Sequence, residues 1–364
     1  MAGTNNKLNK KVVVGMSGGV DSSVAAYLLK QQGYEVVGLH MKSSNAETAA
    51  GDEASARAVC EKLGIKFEVA NYEDQMELVK NYFLSEYKQG KTPNPCVFCN
   101  KIVKFKPFIE YADKIGADYF ATGHYAKIVH DGGKHILMTA ADEQKDQSYF
   151  LNQLSQSQLE KVLFPLGELK KTEVRKIAEK LGLENAEKKD SYDVCFIGSE
   201  KFKDYIAKLT DEKPGNIVDV ATGKIVGKHT GLSKYTLGQR KGLGIGGGAG
   251  ATLEAWFVSN KDLDTNTLFV EQGDGKSLFC SKVIVGEFNW IPTMPEENEF
   301  ECLAKFRYRQ AAQEVLVKKI DKNKIEINCK QKQRSVTPGQ FAVLYKKTEN
   351  ETYCFGGGKI EQTF

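Results

Sequence analysis

The chain has 364 residues, 41% of them hydrophobic and 27% charged, the make-up of an ordinary water-soluble globular protein with room for two or three domains. No stretch nears eighteen apolar residues and the opening MAGTNNKLNKK has no apolar core, which argues against a membrane span or a secretory leader. Eight cysteines are too sparse for a disulfide scaffold and predict cytosolic thiols. The net charge is +4, and residues 276–364, with 15 Lys+Arg against 11 Asp+Glu, carry all of it, which suits a polyanionic partner as well as it suits a solvated basic face.

The first half alternates strand and helix. KVVVGMS is an apolar run ending in a glycine turn, and SSVAAYLLKQQG follows with helical spacing and a closing Gly33. YEVVGLHM predicts a second strand, EASARAVCEKLG a helix closed by Gly64, and IKFEVA a third strand. A cysteine-bearing loop precedes the helix FKPFIEYADKIG and the strand DYFATGHYA. This alternation predicts a mostly parallel sheet covered by helices on both faces, with ligands at the carboxyl ends of its strands. Past residue 200, KFKDYIAKL predicts a short helix and glycines crowd residues 222–250. From residue 277 the segments KVIVGEF, ECLAKFRY, EVLVKKI, KIEINC and QFAVLYK have the spacing of a small barrel or sandwich. The expected units are residues 1–205, 206–274 and 275–364.

VVVGMSGGVDSS is the strongest single signal. A buried strand runs into Gly15, Ser17, Gly18 and Gly19 and directly into a helix, so that successive N–H groups can cradle an anion. No Gly-Lys-Ser/Thr closes it, as a Walker A loop requires, and the dinucleotide fingerprint is absent. Ser-Gly-Gly-x-Asp-Ser instead resembles the PP-loop of the ATP pyrophosphatases, which split ATP to AMP and pyrophosphate while adenylating a substrate oxygen. GLGIGGGAG at residues 242–250, with no buried strand before it and no helix after it, reads as a turn-rich loop.

KTPNPCVFCNKIVKFK sets Cys96 and Cys99 three apart after two prolines, with five lysines and no acid between Lys88 and Lys106. Structural zinc wants four ligands and finds one such pair, and the histidines have no matching spacing. A thioredoxin-like pair would open a helix, whereas prolines place this one in a loop. Cys195, in KKDSYDVCFIG, is a third candidate; the other five cysteines read as small core or surface hydrophobes.

GMSGGVDSS, TPNPCVFCNKIVKF, DVCFIG and TPGQFAV occur in this order. Together with ATGHYA, KDQSYFL and YTLGQRKGLGIGG, they resemble the tRNA-specific 2-thiouridylases over nearly the whole chain. That resemblance implies an α/β PP-loop domain (adenine nucleotide alpha hydrolase-like, with a parallel sheet), a small central adaptor and a C-terminal β-barrel. It implies that ATP, with Mg2+ on its phosphates, is bound by Gly15, Met16, Ser17, Gly18, Gly19, Val20, Asp21 and Ser22, with Met41 and Gly123 lining the pocket. Cys99 matches the family's nucleophile and Cys195 its persulfide-bearing partner, the two ending as a disulfide or regaining their thiols. The lysines around Cys99 are expected to favour its thiolate.

The implied partner is the anticodon arm of a tRNA, whose wobble uridine is flipped out to meet Asn94, Pro95 and Cys96, with His124 beside them. Lys145, Asp146 and Gln147, together with Arg307, Tyr308 and Gln340, match further tRNA-contacting positions. A sulfur carrier or cysteine desulfurase is implied as donor. The protein is expected to be cytoplasmic and monomeric. Many members carry Asp where this chain has Cys96, a candidate general acid–base that a weakly hydrogen-bonding thiol does not replace. On one reading Cys96 only lines the base pocket; on the other Cys96, Cys99 and Cys195 hold an iron–sulfur cluster with one iron open to sulfide. Two rivals remain: a PP-loop ligase acting on tRNA without sulfur, which would need neither Cys99 nor Cys195, and a non-catalytic RNA binder, against which the intact PP-loop argues.

Overall fold

The computed structural model of the chain describes residues 10–43, 47–188, 194–197, 200, 202–210, 213–245, 254–349 and 351–364. The opening MAGTNNKLN, Gly246–Gly250 of the glycine-rich loop and part of KKDSYDVCFIG lie outside the described residues. The first part carries β1 (Lys11–Gly15), β2 (Glu35–Lys42), β3 (Lys66–Asn71), β4 (Tyr119–Ala121), β5 (Lys127–Asp131), β6 (Lys134–Met138) and β7 (Val162–Leu163). Around them lie α1 (Val20–Gln31), α2 (Glu47–Leu63), α3 (Glu73–Lys88), α4 (Pro95–Cys99), α5 (Lys106–Lys114), α6 (Gln156–Lys161) and α7 (Lys171–Lys180). Five strands pair in parallel in the order β3-β2-β1-β4-β7.

Three consecutive valines explain β1. Side chains of a strand alternate between faces, so Val12 and Val14 enter one core with Val24, Leu29 and Ala178, while Val13 enters the other with Leu39, Phe108 and Phe120. A strand apolar on both faces is stable only when helices cover both, as the sequence predicts. DYFATGHYA is shorter than expected: β4 ends at Ala121, and Thr122–His124 leave the sheet at the carboxyl edge.

The glycine-crowded middle holds a sheet that the sequence reading did not foresee. Strands β8 (Gly215–Asp219), β9 (Ile225–His229), β10 (Trp256–Asp262) and β11 (Thr267–Gln272) follow α8 (Phe202–Leu209) and pair in the order β10-β11-β8-β9. Ile217, Val258, Leu268 and Val270 give this sheet its own core. The last part is β12 (Phe279–Trp290), β13 (Glu299–Lys305), β14 (Gln313–Lys319), β15 (Ile325–Arg334), β16 (Phe341–Lys347) and β17 (Thr352–Thr363). Their order is β12-β15-β14-β13-β16-β17, and β12 also pairs with β17, which closes a six-stranded barrel and removes its edges.

The β5–β6 hairpin of the first part continues the barrel's sheet through Met138 opposite Tyr353. One apolar cluster accordingly runs across both parts, from Leu137, Tyr149 and Leu151 to Phe341, Val343 and Cys354. Tyr149 donates its hydroxyl to the Phe341 carbonyl at 2.9 Å, and Gln153 Nε2 donates to that of Gly357 at 2.6 Å.

The cysteine pair does not lie in a loop. Asn94 Oδ1 accepts from the Val97 N–H at 3.3 Å, Pro95 takes the first helical position, and α4 continues as a π turn over Asn100–Phe105 into α5. The prolines are start signals rather than breakers, because proline lacks only an N–H that the first turn leaves unpaired anyway. The objection to a helix-opening cysteine pair is therefore overturned.

Candidate active site

A cleft of about 1440 Å³ opens between the carboxyl edge of the parallel sheet and one edge of the barrel. Its wall carries Ser17, Gly19, Val20 and Asp21 from the phosphate loop, and Pro95, Cys96, Cys99 and Lys104 from the helix that begins at α4. Cys195, His124, the stretch Lys145–Gln147, and Arg307 with Tyr308 complete it. Seven Lys/Arg against four Asp/Glu line it, so the cleft suits a polyanion. A smaller recess of about 560 Å³ at the opposite end of β1–β3, between Lys30, Tyr34 and Ile65, holds none of these groups.

The phosphate loop is shaped from behind. Gly18 has φ +74° and its carbonyl accepts from Ser55 Oγ at 3.0 Å and Asn185 Nδ2 at 3.1 Å, while a side chain there would meet the Asp52 backbone at 2.4 Å. A Cβ on Gly123 would lie 2.7 Å from the Ser22 nitrogen, so the turn after β4 can approach the start of α1 this closely only with glycine. Ser22 Oγ donates to the Gly19 carbonyl at 3.0 Å and accepts from the Ser17 N–H at 3.2 Å. Gly18, Ser22 and Gly123 thus shape the loop without lining the cleft, and Gly15, Met16 and Met41 do not line it either; the Met16 side chain is in the core and Met41 packs beside the Cys99 cluster.

Asp21 accepts from Tyr125 at 2.8 Å and from the Lys171 ammonium at 2.8 and 2.7 Å. Sequence reasoning missed Lys171: nothing in GELKKTE marks the second lysine as buried 150 residues away against the loop. Of the five lysines that the sequence sets around Cys99, Lys104 is the one on the cleft wall, where its charge acts on all three thiols. Burial pushes Lys104 down, but Cys99, Cys195 and Cys96 push it up, and the net direction is up, so it stays an ammonium.

The thiols are unequal. Cys99 is 5% exposed, packed with Met76, Val79 and Val103. Burial pushes it up to about 12, and the pull of Lys104 does not offset this, so the expected lysine-favoured thiolate is not the resting state. Cys96, one helical turn earlier, faces the water of the cleft; the enclosing walls push its thiol up too. Cys195 is exposed, on a turn pinned by Phe196 against Phe83 and Tyr205.

His124 lies beside Phe105 and Phe164, with Nδ1 2.8 Å from Thr122 Oγ1; burial, then the Lys104 charge, hold it down to about 3. Asp146 is 5% exposed and accepts from the Ala140 N–H and from Ser148, which makes it a turn-former with one face on the cleft. Gln147 Oε1 accepts from the Tyr125 N–H. Arg307 donates to the carbonyls of Leu237 and Ser335 and to Thr337 Oγ1, and Tyr308 packs on Phe150 at 4.4 Å. Gln340 is not on the cleft wall: its amide donates to the carbonyls of Thr92 and Pro93 at 2.8 and 3.2 Å, fixing the start of the cysteine helix to the barrel.

Three family models match in register with this geometry: tRNA methyl transferase HUP domain over residues 10–199, tRNA methyl transferase PRC-barrel domain over 203–272, and aminomethyltransferase beta-barrel domain over 280–360. The tRNA-specific 2-thiouridylases MnmA of Bacillus cytotoxicus and Bacillus mycoides are each 46% identical to it over 369 residues, covering 99% of this chain and 97% of theirs. The chain belongs to the tRNA-specific 2-thiouridylase family. Among solved structures, the U34-tRNA thiolase NcsA from Methanococcus maripaludis with its 4Fe-4S cluster aligns at a TM-score of 0.36 and 23% identity, over 56% of this chain and 65% of that one.

Within this 2-thiouridylase, the residues present do not fit a resident cluster. Among the described residues no three His, Cys, Asp or Glu side chains converge as metal ligands: Cys99, though on the cleft wall, is packed by Met76, Val79 and Val103, whereas Cys96 and Cys195 are exposed. Nor is any helix among the described residues long and apolar enough to cross a membrane.

Proposed function

We propose that this chain uses ATP to place sulfur on C2 of the wobble uridine of tRNAs reading lysine, glutamate and glutamine codons. The observation that carries the reading is a single basic cleft holding a phosphate loop, two exposed thiols, a buried third thiol and the aromatic–arginine edge of a barrel. Uridine C2 carries a poor leaving oxygen; adenylation converts that oxygen into AMP and makes C2 electrophilic. Ser17, Gly19 and the N-terminus of α1 would take the phosphates, with Lys171 beside them. Magnesium accompanying ATP would offset the charge of the departing pyrophosphate, with Asp21 and Asp52 the carboxylates facing it.

The flipped base would enter between Pro95, Cys96 and neutral His124, with buried Asn94 capping the helix that carries the first two and with Lys145, Arg307 and Tyr308 on the RNA backbone and neighbouring bases. Asp146, Gln147 and Gln340 would act mainly by fixing the segments around that pocket. A desulfurase or carrier would load Cys195, which is exposed. The persulfide's terminal sulfur attacks C2, AMP leaves with the electron pair of the broken C–O bond, and Cys99 closes a disulfide on Cys195 as the sulfur stays with the base. Units bounded near residues 205 and 274, a monomeric state and a cytoplasmic location belong to the same reading.

The test is to incubate wild type and Cys195→Ser with ATP, magnesium, a desulfurase, cysteine and unmodified glutamate tRNA, then identify nucleosides by mass spectrometry. 2-Thiouridine at the wobble position with wild type alone supports the reading. AMP without thionucleoside from either protein leaves an adenylating enzyme and removes the thiolation.

A further inference from the structure

We infer that Cys96 and Cys99 form a dithiol–disulfide couple that regenerates Cys195 after each sulfur transfer. The inference rests on the thiolation reading for its place in the cycle, but its geometry stands independently. The two cysteines are three apart in the first turns of one continuous helical run from Pro95 to Lys114. The first faces the cleft and the second is 5% exposed behind it. Such a pair can close on itself with little backbone movement, since residues i and i+3 share a helix face. The Asn94 side chain and Pro95 fix the start of that helix, and the barrel holds the preceding carbonyls through Gln340.

Burial favours an internal route. In a disulfide between Cys99 and Cys195 the Cys99 sulfur is enclosed by Met76, Val79 and Val103, so an external thiol meets only the Cys195 sulfur, whereas Cys96 reaches the Cys99 sulfur from its own helix. Cys96 is on the same helix and opens to solvent. Its thiolate attacks the Cys99 sulfur, the Cys99–Cys195 bond breaks, and Cys195 leaves as a thiolate that takes the proton Cys96 gave up. The product is a Cys96–Cys99 disulfide and a free Cys195, ready for new sulfane sulfur. An external dithiol then attacks the exposed Cys96 sulfur and supplies the two electrons and two protons that restore both thiols. Lys104, in the same wall, stabilises whichever sulfur leaves as the anion.

Two measurements test this. In Cys195→Ser, equilibrated without tRNA in dithiothreitol buffers of graded oxidation and quenched by acid and alkylation, peptide mapping is expected to find one reversible Cys96–Cys99 disulfide. Its absence at every ratio overturns the couple whatever the protein does to tRNA. In Cys96→Ser under turnover with a dithiol, the Cys99–Cys195 disulfide is expected to accumulate and the steady-state rate to fall at least tenfold. Fast turnover with Cys195 kept reduced overturns it; a wild type that makes no 2-thiouridine overturns the thiolation reading instead, leaving the redox titration to decide the couple.

Discussion

Lys359 of β17 meets Glu86 of α3 at 2.6 Å with side-chain exposures of 17% and 6%, and its ammonium lies 5.6 Å from the Tyr82 ring, which stacks on Phe98 between the two helix cysteines. This contact ties the barrel to the back of the cysteine helix. At that separation and an effective dielectric of ~20 the gross attraction is about 6 kcal/mol, most of it offset by desolvation. Removing one partner is another matter, because it strands the other in a dry site, and breaking such a pair costs about 3–5 kcal/mol. Glu86 Oε2 has no partner even now, which sets the expected loss for Lys359→Met at the lower end, about 3 kcal/mol. At about 2 °C per kcal/mol for a chain of this size, the melting midpoint falls by about 6 °C. The double variant Lys359→Met with Glu86→Gln removes both charges and is expected to recover to within about 1 kcal/mol of wild type. Calorimetry of the four proteins decides it: single variants melting with the wild type, or a double variant losing the sum of the two singles, would refute the reasoning.

Gly123→Ala forces a methyl group to 2.7 Å from the Ser22 nitrogen, so ATP affinity in equilibrium dialysis is expected to fall at least tenfold; an unchanged affinity detaches Gly123 from the nucleotide site. His124 is held down to about 3, below its unfolded value near ~6.5, so its contribution to stability is present above that value and lost as the pH falls toward about 3. Its ring resonances should accordingly stay flat from pH 5 to 8, and a titration in that range contradicts the burial argument. Cys99, pushed up to about 12, contributes fully below ~8.5 and loses that contribution as the pH rises toward about 12. At pH 8 iodoacetamide should label Cys96 and Cys195 at least tenfold faster than Cys99, with the reverse order excluding the burial difference. Arg307→Ala is expected to weaken tRNA binding and lower its salt slope by about 1; an unchanged slope leaves Arg307 only its bonds to Leu237, Ser335 and Thr337.

The first sheet was legible because β1 to β3 are short strand-like runs, the first running into the glycine turn of the phosphate loop and the next two following the helix-closing Gly33 and Gly64, a local signal that needs no partner to be read. The phosphate loop was legible for the same reason. The middle sheet was not, since β8 and β9 are five residues each with glycines at Gly215 and Gly227, and the pairing of β8 with β11 spans some fifty residues. Strand β17 was missed because Gly356–Gly358 interrupt its pattern, although the barrel closes through it. Of the cleft, the sequence showed which thiols matter but not their exposure, which depends on Met76, Val79 and Val103 arriving from α3 and the π turn. Lys171 on Asp21 and Gln340 on the Thr92 carbonyl are contacts across 150 and 248 residues, and no spacing rule reaches that far.

The hairpin β5–β6 that extends the barrel's sheet has a consequence for how the enzyme measures its substrate. Hydrogen bonds and a common apolar cluster join the barrel to the first sheet, so the packed fold sets the span from Arg307 and Tyr308 to the cysteine helix. On the thiolation reading proposed above, the cleft would then work as a ruler with fixed marks. An RNA whose target base lies at another distance from the backbone held by the barrel would dock without bringing C2 to a sulfur, and selection among uridines would be made by length before any base is read.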